Sequence, residues 1–101
     1  MAAHTESELR EELNRFEWHG IVIPEHCREG LIRYVAHGLP PGNFLLAVLS
    51  NDLREAFACA DRENSAAMGA WVGFLYNHCP GLCWGSPEKV KDWIDLARKS
   101  R

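Results

Sequence analysis

The sequence predicts an all-α fold, a compact bundle of about five helices around a central buried helix at about residues 43–60. Three observations lead there. Apolar residues recur at helical spacing through most of the chain. Helix start and stop signals, chiefly Gly, Pro, Ser and Asp, separate the periodic stretches. The 101 residues, 47% hydrophobic and free of repeats or long linkers, suit one helical domain spanning 1–101.

The stretch NFLLAVLSNDLREAFACA, Asn43 to Ala60, carries the longest apolar pattern. At about 100° per residue, Leu45, Leu46, Val48, Leu49, Leu53, Ala56, Phe57 and Ala60 fall in one half of the circumference. So wide an arc predicts a helix contacted by several others. Asp52 lies inside it, and a carboxylate there must be paired, hydrogen-bonded or turned to a polar cavity. Pro40-Pro41-Gly42-Asn43 stiffens the approach and offers Asn43 as an N-cap.

The remaining elements follow in order. Thr5-Glu6-Ser7-Glu8 has capping-box spacing, and Leu9, Leu13 and Phe16 share a face, predicting a first helix from about Glu6 to His19, closed by Gly20. Trp18 projects opposite that stripe, either towards another chain or tucked inward where the helix end unwinds. Ile21-Val22-Ile23 reads as an extended connector, with a strand paired to another protomer as the alternative. Pro24 suits the first position of a second helix running to His37, with Gly38 as its stop and Cys27, Leu31, Tyr34 and Val35 inside. Beyond the hub, Asp61 or Asn64 caps a helix reaching His78, with Ala67, Met68, Trp71, Phe74 and Leu75 inward. Gly69 and Gly73, four apart, would let a helix of another chain approach. Cys79 to Gly85 is a loop. Ser86-Pro87-Glu88 opens the last helix, with Val90, Trp93, Ile94 and Ala97 inward and the basic Arg98 to Arg101 at its end.

Composition narrows the function. A formal charge of −3 argues against a general nucleic-acid binder. No apolar run approaches the ~18 residues of a membrane span, and the N-terminus lacks the pattern of a signal peptide. The expectation is a cytoplasmic protein with reduced cysteines. His26, Cys27, His78, Cys79 and Cys83 are ligand types for zinc, but the C-x3-C spacing and scattered partners point away from a metal site. No nucleophile elbow, P-loop or H-E-x-x-H occurs. The chain therefore reads as a binding protein without metal or cofactor, with a phosphodiesterase built on His26 and His37 as the least implausible enzyme.

The binding candidates centre on the second helix. His26, Gly30, Arg33 and His37 are spaced 4, 3 and 4 apart and form one outer stripe. One fixed cation, two imidazoles and a flat glycine suit a phosphate or carboxylate; the alternative is a solvated face. The helix starts at Gly42-Asn43 and Ser86-Pro87 add anion-favouring N–H groups. Tyr34, Tyr76 and Trp84 offer rings that could stack a base, or pack in the core. Asn51, on the solvent side, could bond a base or a partner. Asp52 is either a ligand contact or an internal cap.

Two segments also carry a resemblance. R-Y-x-x-H-G-x-P-P-G-x-F-L-x-A-V-L-x-N-D-L, Arg33 to Leu53, and F-L-Y-N-x-x-P-x-x-C-W-G-S-P-E-K-V, Phe74 to Val90, resemble a widespread family of small phage and prophage proteins. The resemblance runs from about Ile23 to Ile94. It implies a phage accessory factor in the cytoplasm of an infected bacterium, and small phage proteins of this kind often counter host defence. The expected function is sequestration of a nucleotide-derived immune signal, such as a cyclic ADP-ribose type molecule, in a pocket shared between protomers of a homo-oligomer. Arg33, His37 and His26 would hold phosphate, Gly42 and Asn43 would give N–H contacts, Tyr34 or Trp84 would stack the base, and Asn51 or Asp52 would bond ribose or base edges. The rivals are a module that binds a host protein through Trp18 and the stripe on the second helix, and a hydrolase of the signal.

Overall fold

In the computed structural model, residues 5–100 are described; residues 1–4 and 101 of the expected domain lie outside them. The described residues form seven helices and one small hairpin, so the chain is broadly all-α. No helix among them is long and apolar enough to cross a membrane.

Helix α1 (Glu6–Arg15) opens on the capping box of Thr5 and Glu8 and buries Leu9 and Leu13. It stops at Arg15, before the expected end at His19. His19 and Gly20 both take positive φ (50° and 79°), the geometry of a two-residue hairpin turn. Strands β1 (Glu17–Trp18) and β2 (Ile21–Val22) therefore pair antiparallel, with Trp18 opposite Ile21. The turn chemistry outweighs the helical period, and the connector finds its partner within its own chain. Trp18 folds back onto α6 (Met68–His78): a Cβ at Gly69 would lie 2.4 Å from the indole. Phe16 covers Gly73, whose Cβ would lie 3.3 Å from its ring. The two glycines thus admit rings of their own chain at the spacing that would have let a helix of another approach.

Helix α2 (Glu25–His37) starts one residue after Pro24, which serves as its N-cap, and ends on left-handed Gly38. A Cβ at Gly38 would meet that of Ala97 at 2.2 Å, so the glycine lets α7 (Pro87–Lys99) pack against the end of α2. Leu31, Ile32, Tyr34 and Val35 face the core.

The stretch expected to be one helix over 43–60 is two: α3 (Asn43–Leu49) and α4 (Leu53–Cys59). Asn51 takes φ 63°. Its N–H donates to Val48 O (3.1 Å) and that of Asp52 to Ala47 O (2.9 Å), the paired bonds that close a helix on a left-handed residue. Asp52 then caps α4, accepting from the Glu55 N–H at 3.1 Å. Asn tolerates positive φ and Asp is a good N-cap, so local stop and start chemistry overrides the apolar period. Helix α3 buries Phe44, Leu45, Ala47, Val48 and Leu49, whereas α4 buries Ala56 alone. Leu46, Leu53 and Phe57, expected inside, are exposed.

Asp61 caps the short α5 (Arg62–Ala66), and the chain bends at Ala67 before α6. The expected inner face of α6 is observed: Ala67, Met68, Trp71, Phe74 and Leu75 are buried. Ser86 caps α7 by accepting from the Lys89 N–H, with Pro87 in its first turn, and Val90 reaches the core.

Candidate functional site

The outer stripe of α2 meets the beginning of α3 and the α4–α5 corner in a cleft of about 340 Å³. His26, Glu29, Gly30 and Arg33 form the α2 wall. Gly42, Asn43, Phe44 and Leu45 form the second wall; Cys59, Asp61 and Asn64 close the end. A Cβ at Gly30 would lie 3.5 Å from Leu45 Cδ1, so the glycine keeps this part of the wall low. Pockets for small molecules commonly run from about 300 to 1,000 Å³, which puts this one at the lower end.

The charges in the cleft are sorted by pairing. Glu29 is bound by Arg10 of α1, and that hydrogen bond holds its carboxyl below the usual range. Asp61 accepts from the Asn64 N–H (2.8 Å) and from His26 Nε2 (2.8 Å), and its carboxyl is lowered, first by the Asn64 backbone bond and then by His26. Both carboxylates are therefore engaged by donors. Arg33 lies near enough to Glu29 to favour its ionised form, yet its guanidinium makes no hydrogen bond or ion pair among the described residues. It is the fixed positive charge left open on the cleft wall.

The floor is a polar group, Asn64, which the sequence offers as a helix cap alternative to Asp61. Asn64 is 3% exposed. Its Oδ1 accepts from Trp71 Nε1 (2.9 Å) and its Nδ2 donates to Cys27 Sγ (3.2 Å). A signal was available: Asn64 lies seven residues before Trp71, on the same helical face as Ala67, Met68 and Leu75, so it interrupts an inward stripe.

The expected site residues separate. Arg33, Gly42 and Asn43 share the cleft, with His26 and Gly30. His37 does not line it: its Nε2 is 2.7 Å from Glu6 Oε1, and the ring borders another groove of about 350 Å³ with Val35, Trp93 and Leu96. Tyr34 has no open face for a base. Its ring is fully buried and its hydroxyl donates to Cys83 O at 2.6 Å, while burial pushes its pKa up. Trp84 is half-buried against the core and does not border the Arg33 cleft. Asn51 and Asp52 sit beside a narrow hollow of about 40 Å³ between α4 and α6, away from the Arg33 cleft, and the Asp52 side chain caps α4. Tyr76 is exposed, on the outer side of α6.

Cys79 and Cys83 are buried, and burial raises both thiols, that of Cys83 up to about 12. Among the described residues, no group of three or more His, Cys, Asp or Glu is arranged to hold a metal ion. Comparison with family models, with curated proteins and with solved structures returned no match.

Proposed function

We propose that the protein binds and sequesters a small phosphorylated, nucleotide-like molecule in the cleft beside Arg33, as a phage factor that counters host defence. The reading rests on one observation above all: Arg33 stands on the wall of a cleft whose acidic groups are both engaged by other donors. A guanidinium with free donors favours a phosphate through paired, charge-assisted bonds. His26 and the Asn43 side chain lie within the same walls and extend the polar lining. Phe44 and Leu45 supply an apolar side, as sites for ring-bearing ligands do. The phage context comes from the resemblance of the Arg33–Leu53 and Phe74–Val90 segments.

In this reading the anion is gripped by Arg33, with Gly42 and Asn43 on the opposite wall and His26, held by Asp61, beside it. His37, Tyr34, Asn51, Asp52 and Trp84 take no part. The test is thermal unfolding with and without ADP-ribose, cyclic ADP-ribose and cyclic dinucleotides. A ligand at one hundred times its Kd adds about 2.7 kcal/mol, a clear shift in Tm. No shift with any of them would contradict the proposal. Denaturing the protein after incubation and weighing the released molecule separates the two chemistries: an unchanged mass means sequestration, a changed one means hydrolysis.

A further inference from the structure

Helix α4 turns its apolar side chains away from the core. Leu53 is 66% and Phe57 47% exposed, while of this helix only Ala56 is buried. On α6 beside it, Val72 is 43% and Tyr76 78% exposed. Leu53 and Val72 line the same narrow hollow, with Met68 and Ala56 at its base, so the two helices present one continuous face. Trp18, lying over Gly69 and Gly73, borders that face on the far side of α6. The orientation follows from the break at Asn51. In an unbroken helix Leu53 and Phe57 would share the arc of Leu45, Val48 and Leu49; the left-handed residue swings them outward.

We infer that this α4–α6 face is where two copies of the chain pair. Counting about 150–250 Å² for a whole aromatic side chain and somewhat less for an aliphatic one, these four exposures and that of Trp18 leave on the order of 500 Å² of largely apolar surface. That is near the upper end for the largest patch on a monomer, about 300–600 Å². Two such faces set against each other bury on the order of 1,000 Å², the least that a specific interface needs, before the rim is added. The geometry suits a two-fold contact. Two helices side by side on each copy form a four-helix layer, which packs by ridges into grooves. The rim on α4 carries both signs: Asp52 lines the hollow beside Leu53, and the exposed Arg54 follows it. A rim of mixed sign can meet its own image, whereas a rim of one sign repels it. The contact uses none of the walls of the Arg33 cleft except through the shared helix, so pairing and ligand binding stand or fall separately.

Sedimentation equilibrium of the intact protein up to roughly 200 µM, enough to saturate a Kd of 1 µM, tests this. The expected mass is twice 11.4 kDa. Leu53→Glu and Tyr76→Glu are each expected to weaken pairing at least a hundredfold with an unchanged helical spectrum. Leu82→Glu, also at an exposed leucine but in the 79–86 loop, leaves the dimer intact. In the unaltered protein, amide exchange in α4 and outer α6 slows as concentration rises, while that of α7 does not. A mass of 11.4 kDa throughout overturns the inference, as does a dimer that survives both glutamate variants.

Discussion

Cys59 lines the Arg33 cleft from one side of α4, while Leu53 and Phe57 leave the same helix on another side and face outward. The two surfaces differ in what has been neutralised. In the cleft, Arg10 engages Glu29, and His26 with the Asn64 N–H engages Asp61, leaving one cation open. On the α4–α6 face the exposed groups are chiefly apolar, and the nearest carboxylate, Asp52, caps α4. A small anion fits the first and a flat apolar partner the second.

The contrast depends on α3 being core and α4 surface, and the largest expected effect probes that. Leu49→Ala should lose about 2–5 kcal/mol of stability, because Leu49 is fully buried. Leu53→Ala, tested at a concentration where the chain is monomeric, should stay within about 0.5 kcal/mol. Urea unfolding of the two variants decides it, and equal losses would mean that both halves of the stretch are core.

Next in size is Asn64→Ala, which strips the acceptor from the buried Trp71 indole N–H. A buried donor left without its partner costs about 1–3 kcal/mol, readable in the same unfolding curves. The floor of the cleft should loosen as well, visible as faster exchange in α5. Asp52→Ala removes the cap of α4 and should lower stability by about 1 kcal/mol. Its nucleotide affinity should be unchanged; a lost affinity would return Asp52 to the binding site.

The smallest effect is a pH dependence. Asp61 has its folded pKa lowered by the Asn64 backbone bond and by His26. Its contribution is therefore present above the ordinary aspartate range and lost as the pH falls through the lowered folded value. Asp61→Asn should flatten that acid limb, seen as a smaller fall in Tm between neutral and strongly acidic buffer. Ligand binding should weaken over the same acid range if the His26 ring needs Asp61 to hold it at the cleft.

Much of the helical content was legible. The Thr5–Glu8 box, the Gly38 stop, the Ser86-Pro87 start and the inward face of α6 were readable because each is a local signal with one dominant physical cause. The break at Ser50-Asn51-Asp52 was less so. A wheel drawn through it rewards the apolar period, and whether Asn51 takes positive φ depends on what α4 gains by turning. The end of α1 failed for a similar reason, since a two-residue hairpin turn competes with one more helical turn.

The site was partly legible. Spacing along α2 put His26, Gly30 and Arg33 together, because a helix fixes its own faces. It could not show that His37, one turn further, is drawn to Glu6, nor that the Tyr34 hydroxyl reaches Cys83 across the core. Both depend on how distant segments meet. Asn64 was hidden behind its more familiar use at a helix start.

Calorimetric titration of the protein and of Arg33→Ala with ADP-ribose and with cyclic ADP-ribose is the most direct test of the cleft. The account predicts saturable binding of at least one of them, weakened by more than ~1.4 kcal/mol, tenfold in Kd, in the variant, with its unfolding curve unchanged. Binding that is equally tight without the guanidinium, or no binding to the unaltered protein, would contradict it.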